Sequence, residues 1–165
     1  MAATHAAPAV AEVALADRAA TRRFGARLAK AVRTGDVIAL AGALGTGKTT
    51  LARDLIEALA GAPCEVPSPT FTLVQTYELE PLTVWHFDLY RVEHPEEAIE
   101  LGLEDALAEG VTLIEWPERL GPLLPTERLD VTLAQGPAPD ARSARLTGHG
   151  AWRERLAEIA GESDG

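Results

Sequence analysis

The sequence predicts an α/β fold, a three-layer sandwich around a largely parallel, partly antiparallel central sheet. Three observations predict it. Val37-Ile38-Ala39-Leu40-Ala41 and Val111-Thr112-Leu113-Ile114 are short, continuous apolar runs, as strands buried on both faces require. Each follows a segment read as helical, so helices alternate with buried strands. A glycine-rich turn, Gly42 to Gly47, joins the first run directly to the next helical segment.

The elements follow in order. Residues 1–11 are alanine-rich and lack a basic segment before an apolar stretch. They read as a flexible tail and not as a signal peptide. Residues 12–160 form one domain, and 161–165 are expected to be a disordered tail. Asp17 to Val32 is expected to be a helix, because Phe24, Leu28 and Val32 recur at four-residue spacing. Gly35-Asp36 ends it. Lys48 to Leu59 repeats the pattern through Leu51, Leu55 and Leu59, and Gly61 stops it. Pro63 to Pro69 is a loop. Phe71 to Tyr77 and Thr83 to Tyr90 are expected strands around a Glu80-Pro81 turn, and they supply the antiparallel part. Pro95 to Leu101 and Glu104 to Ala108 read as short acidic helices. Leu129 to Leu133 and Ala144 to Thr147 are later strands, and Ala151 to Ile159 is a terminal helix.

Charge and cysteine content restrict the function classes. A net charge of −10 opposes independent binding of nucleic acid, since phosphates must be neutralised by Lys and Arg. Cys64 stands alone, so no intrachain disulfide forms and a reducing, cytoplasmic setting is expected. No apolar run is long enough for a membrane helix. Only Lys30 and Lys48 are lysines. A guanine-reading Asn-Lys-x-Asp segment beyond Lys48 is therefore impossible, which removes a GTP-driven switch.

Gly42-Ala43-Leu44-Gly45-Thr46-Gly47-Lys48-Thr49 matches G-x-x-x-x-G-K-[ST] in full. Glycines let the backbone wrap around phosphate oxygens with N–H groups inward. The helix that follows turns its positive dipole end toward them. In that chemistry Lys48 reaches the β- and γ-phosphates and the Thr49 hydroxyl is a magnesium ligand. The position between buried strand and helix separates this reading from a mere glycine-rich turn with an exposed lysine. It also makes the sandwich P-loop NTPase-like.

Such a loop needs an acid at a neighbouring strand end. Glu115 follows Val111–Ile114 directly, and Asp88 follows Val84-Trp85-His86-Phe87. The alternative for either is a turn cap or an ion pair with Arg91 or Arg119.

Four blocks then occur in order: the glycine loop through Thr50; Ser68-Pro69-Thr70-Phe71-Thr72-Leu73; His86-Phe87-Asp88-Leu89-Tyr90-Arg91; and Glu115-Trp116-Pro117-Glu118-Arg119. Together they resemble the TsaE (YjeE) family, the ATPases of bacterial tRNA threonylcarbamoyladenosine biosynthesis. The likeness spans about Leu15 to Thr147. Ala43 departs from it, standing where the family often carries an acid. The resemblance implies ATP and Mg2+ as cofactors, ATP hydrolysis, and TsaB- and TsaD-type proteins as partners, with tRNA reached only through the complex. It implies that Gly42, Leu44, Gly45, Thr46, Gly47, Lys48, Thr49, Thr50 and Thr21 contact nucleotide. Thr49 and Glu115 would hold the metal, and Lys48, Asp88, Glu115 and Trp116 would serve catalysis. Ser68-Pro69-Thr70 would be a switch segment near the γ-phosphate.

Other residues take ordinary readings. Arg18, Arg22, Arg23, Arg27 and Lys30 read as a solvated helix face, the alternative being contact with a partner or the nucleotide. Trp85 and Phe87 read as core, Trp152 as a packing anchor, and Arg142 and Arg145 as strand-face residues, the alternative for the two arginines being that they reach ATP from the late segment. His86 is the one histidine inside a block. The alternative function is a small nucleotide or metabolite kinase, which would need a second substrate site and an arginine-rich lid. No compact arginine-rich segment follows the glycine-loop helix. A scaffold that binds ATP without turnover is a third class.

Overall fold

A computed structural model describes residues 7–63 and 73–160. The chain runs β1 (Ala9–Leu15), α1 (Arg18–Ala31), β2 (Val37–Ala41), α2 (Lys48–Ala60), β3 (Val74–Glu78), β4 (Thr83–Asp88), α3 (Glu96–Glu100), α4 (Leu103–Glu109), β5 (Val111–Glu115), a 3-10 segment (Pro117–Leu123), β6 (Leu129–Gln135), β7 (Arg142–Gly148) and α5 (Trp152–Ala160). One seven-stranded sheet has the order β1-β7-β6-β2-β5-β4-β3. The four central strands are parallel, while β7, β1 and β3 join antiparallel. The expected three-layer α/β sandwich with a mixed sheet is what forms.

Period-two alternation along the central strands builds the two outer layers. Ile38 and Leu40 of β2 face one core with Phe24, Leu28, Leu51, Leu55 and Ile159, so α1, α2 and α5 cover that side. Val37 of β2 and Ile114 of β5 face the other core with Phe87, Ala98, Ala106 and Leu120, beneath α3, α4 and the 3-10 segment. Phe87 is core as expected, and Trp85 is half-buried against the same cluster.

Local signals fix the helix that carries Thr21. The Asp17 carboxylate caps α1, its Oδ1 accepting from the Ala20 N–H at 2.8 Å. Arg18 is exposed, as expected of the basic stripe, but it is not merely solvated. Its guanidinium makes a two-pronged pair with buried Asp54 of α2, both distances 2.7 Å. A buried carboxylate needs such a partner, and the planar fork of arginine supplies it.

β1 corrects the expected N-terminal boundary, because the strand begins at Ala9, inside the segment read as a tail through residue 11. Its residues alternate between the core side and solvent, Ala9, Ala11 and Val13 packing inward. Small alanines at half of these positions hide that alternation from a hydrophobicity reading. The 3-10 segment after Trp116 was not expected either; it breaks at Gly121, next to Pro122. The Ser68-Pro69-Thr70 segment, Cys64, Phe71 and the 161–165 tail lie outside the described residues.

Candidate active site

The parallel strands end on one edge of the sheet, and the candidate residues gather there. Ala41 closes β2, and the glycine loop turns the chain into α2 at Lys48. The loop is held by its own groups: Thr46 Oγ1 donates to the Ala43 carbonyl at 2.8 Å. Gly47 is the N-cap of α2 with no side-chain capping bond. The first-turn N–H groups of α2 thus have no side-chain acceptor at their cap, which is the arrangement that receives anions.

Gly42 is required in a strict sense. Its φ is +136°, and an added Cβ would run into the Leu133 carbonyl oxygen of β6 and lie 2.8 Å from Thr46 Oγ1. Gly42→Ala is expected to lower unfolding stability by about 2–4 kcal/mol, from strained backbone plus overpacking. Denaturant titration checks this; a loss under about 0.5 kcal/mol would show that the loop shifts freely, against the usual range of overpacking costs.

Lys48 lies folded into the loop. Its Nζ donates to the Gly42 carbonyl at 2.7 Å and the Ala43 carbonyl at 3.1 Å, and it sits 4.2 Å from the centre of the Trp116 ring. Burial holds the ammonium below the usual lysine range, while the carboxylates of Glu115, Asp88 and Glu118 act the other way. Trp116 reaches this place through a left-handed backbone, φ 59°. That conformation is costly for a bulky residue. It turns the indole toward Lys48 and against Tyr90, ring centres 5.0 Å apart.

Thr49 and Glu115 meet across α2 and β5. The Thr49 hydroxyl lies 2.9 Å from both Glu115 carboxylate oxygens, donating its one proton to either. Glu115 is buried and also bonds His86, Nε2 to Oε2 at 2.7 Å. Asp88 is buried and pairs in register with Glu115 across β4 and β5. Its Oδ1 accepts from the Tyr90 N–H at 3.1 Å, which fixes the carboxylate at the strand end. A cavity of about 420 Å³ opens over Lys48, Thr49, Asp88, Glu115 and Trp116. Gly45, Gly47, Thr50 and Leu44 line it too, and Leu44 is 73% exposed at the loop tip.

A smaller cavity of about 120 Å³ shares Gly47, Thr50 and Arg142 with the first and is lined by Thr21, Thr46 and Asp140 among others. Thr21, on α1, is thereby brought to the loop from far along the sequence. Arg142 is a correction. Read as a strand-face residue, it instead pins the glycine loop: Nε donates to the Thr46 carbonyl at 3.0 Å, and Nη1 to the Pro139 and Ala141 carbonyls at 2.8 Å. The contact joins residues 96 positions apart, so no local pattern reports it.

A family model described as threonylcarbamoyl adenosine biosynthesis protein TsaE matches residues 15–144. The chain belongs to the TsaE family. It is 43% identical over 113 residues to the tRNA threonylcarbamoyladenosine biosynthesis protein TsaE of Rickettsia bellii, spanning 68% of this chain and 78% of that one. It is 37% identical over 133 residues to the protein of the same name from Bacillus subtilis, spanning 80% and 82%. The crystal structure of YdiB from Bacillus subtilis superposes with a TM-score of 0.77 at 29% identity, covering 93% of this chain and 95% of that one. The loop, His86 and Asp88, and Glu115 and Trp116 thus come together in a TsaE chain from three of the four sequence blocks. The remaining block falls in residues 64–72 apart from Leu73, whose carbonyl accepts from the Asp88 N–H at 2.9 Å.

Proposed function

We propose that this chain binds ATP with Mg2+ at the glycine loop and hydrolyses it to ADP and phosphate. In this reading it acts through TsaB- and TsaD-type partners in the threonylcarbamoyladenosine modification of tRNA, in the cytoplasm. The observation that carries the proposal is the convergence of the Thr49 hydroxyl on both Glu115 oxygens, at the mouth of a loop whose lysine is folded against it. Thr49 and Glu115 offer hard oxygen donors, which suit Mg2+. Among the described residues no group of three or more His, Cys, Asp or Glu could hold a metal by itself. That fits an ion carried mostly by phosphate and water. Bound there, Mg2+ would neutralise charge on the phosphate oxygens.

The chain's own groups account for the rest. Lys48 exchanges two loop carbonyls for phosphate oxygens and meets the charge that builds on them during transfer. The first N–H groups of α2 take the remaining phosphate contacts. Asp88 either orients the attacking water or senses the γ-phosphate. Trp116 keeps the ammonium over its ring and shields it from solvent. Among the described residues no helix is long and apolar enough to cross a membrane.

Three measurements test the proposal. ATP is expected to compete for the site better than GTP, since no Asn-Lys-x-Asp element exists to read guanine. Tighter binding of GTP in a competition titration would overturn the adenine preference. The partner role predicts reciprocal coupling: partners shift ATP affinity by the same factor that ATP shifts partner affinity. Titrating a TsaB–TsaD-type pair into this protein with an ATP analogue, with ADP and without nucleotide checks it. Equal partner affinity in all three states would remove the coupling. Salt-resistant, submicromolar binding of tRNA to the isolated chain would remove the indirect role.

A further inference from the structure

We infer that His86 is a positioning residue: it anchors the Glu115 carboxylate so that Thr49 and Glu115 present a fixed pair of oxygens to the divalent cation. The inference rests on the Mg2+–ATP reading above.

His86 is fully buried on β4, and its Nε2 lies 2.7 Å from Glu115 Oε2. It stands opposite Leu113 in the parallel ladder, two residues before Asp88, which stands opposite Glu115. The alternation of strand side chains therefore places His86, Asp88, Leu113 and Glu115 on one face, with His86 and Glu115 as diagonal neighbours. Its Nδ1 has no hydrogen-bond partner among the described residues. The ring's one described polar partner is thus Glu115, and a buried nitrogen is left unsatisfied to keep it. An apolar side chain would fill the position without that cost.

The terminal torsion of a glutamate is broad. Thr49 alone does not fix it, because its single hydroxyl proton serves both oxygens at 2.9 Å. A ring donating from Nε2 to Oε2 does, since the imidazole is fully buried on β4 and packed on all sides. Oε1 is left to Thr49 and the site. An outer partner of this kind orients a ligating carboxylate and tightens metal binding.

The test is binding of a fluorescent ATP analogue by the full chain, titrated with Mg2+ and compared with EDTA. His86→Leu is expected to raise the Mg2+ concentration at half-effect by about tenfold or more, while affinity in EDTA stays within about twofold, since no phosphate contact is altered. His86→Gln, whose amide donates from a similar position, is expected to restore the Mg2+ dependence to within about threefold by supplying the missing outer-shell bond. If His86→Leu does not fold, His86→Asn, whose amide falls short of Glu115, takes its place with the same expectations. A donor-free variant with the parent's Mg2+ dependence would overturn the inference. So would affinities in EDTA and in Mg2+ that fall in step, the mark of a merely structural role. If the parent protein binds the analogue with no Mg2+ dependence, the Mg2+–ATP reading itself fails, which is a separate result. The unmodified protein gives a further readout: its His86 ring should carry the proton on Nε2 in nitrogen-resolved NMR spectra. A ring protonated on Nδ1 alone would overturn the inference without any substitution.

Discussion

Lys48→Ala is expected to lower ATP turnover by about a hundredfold or more and to weaken ATP binding, with the fold intact. The size follows from removing one charge-assisted contact to the transferring phosphate from a lysine that is itself buried. The fold survives because two effects oppose each other. The variant gives up two hydrogen bonds to loop carbonyls and the contact with the Trp116 ring. It also stops burying an ammonium whose pKa burial already pushes down. Turnover assays, nucleotide titration and circular dichroism separate the two. Turnover within about twofold of the parent would show that the lysine does not face the reacting phosphate, since such a ratio is worth well under 1 kcal/mol.

Glu115→Gln is expected to have an effect of similar size on Mg2+-dependent turnover, while nucleotide binding without metal is kept. The amide preserves the length of the side chain and its reach to Thr49 and His86, and it removes the charge that suits a hard cation. A loss of about a hundredfold in turnover is expected from weakened electrostatic stabilisation. Asp88→Asn should lower turnover less, because an amide oxygen can still accept from the Tyr90 N–H. Both are read from turnover against Mg2+ concentration. Parent-like turnover in both variants would make the two strand-end acids structural.

Much of this site was legible because its parts are local. The β2 run, the glycine loop and the start of α2 are contiguous, so one motif specified their conformation. The strand-end positions of Asp88 and Glu115 followed from apolar runs that end abruptly, and the parallel register then brought them side by side. What could not be read depends on contacts between distant segments. Arg142 reaches Thr46 only because β7 folds back beside β6. His86 reaches Glu115 only through the β4–β5 pairing, although it lies within a block that drew notice. Arg18 meets Asp54 only because α1 packs against α2. β1 is hidden for another reason: half of its buried side is alanine, too small to mark a strand in hydrophobicity.

The most direct measurement of the central claim is ATP turnover by the purified chain, with and without Mg2+ and with and without TsaB- and TsaD-type proteins from the same organism. The account predicts hydrolysis that needs Mg2+, that changes when the partners are present, and that disappears with Lys48→Ala under every condition. Absence of ATP binding and turnover with Mg2+ and both partners present, or turnover that persists undiminished in Lys48→Ala, would contradict it.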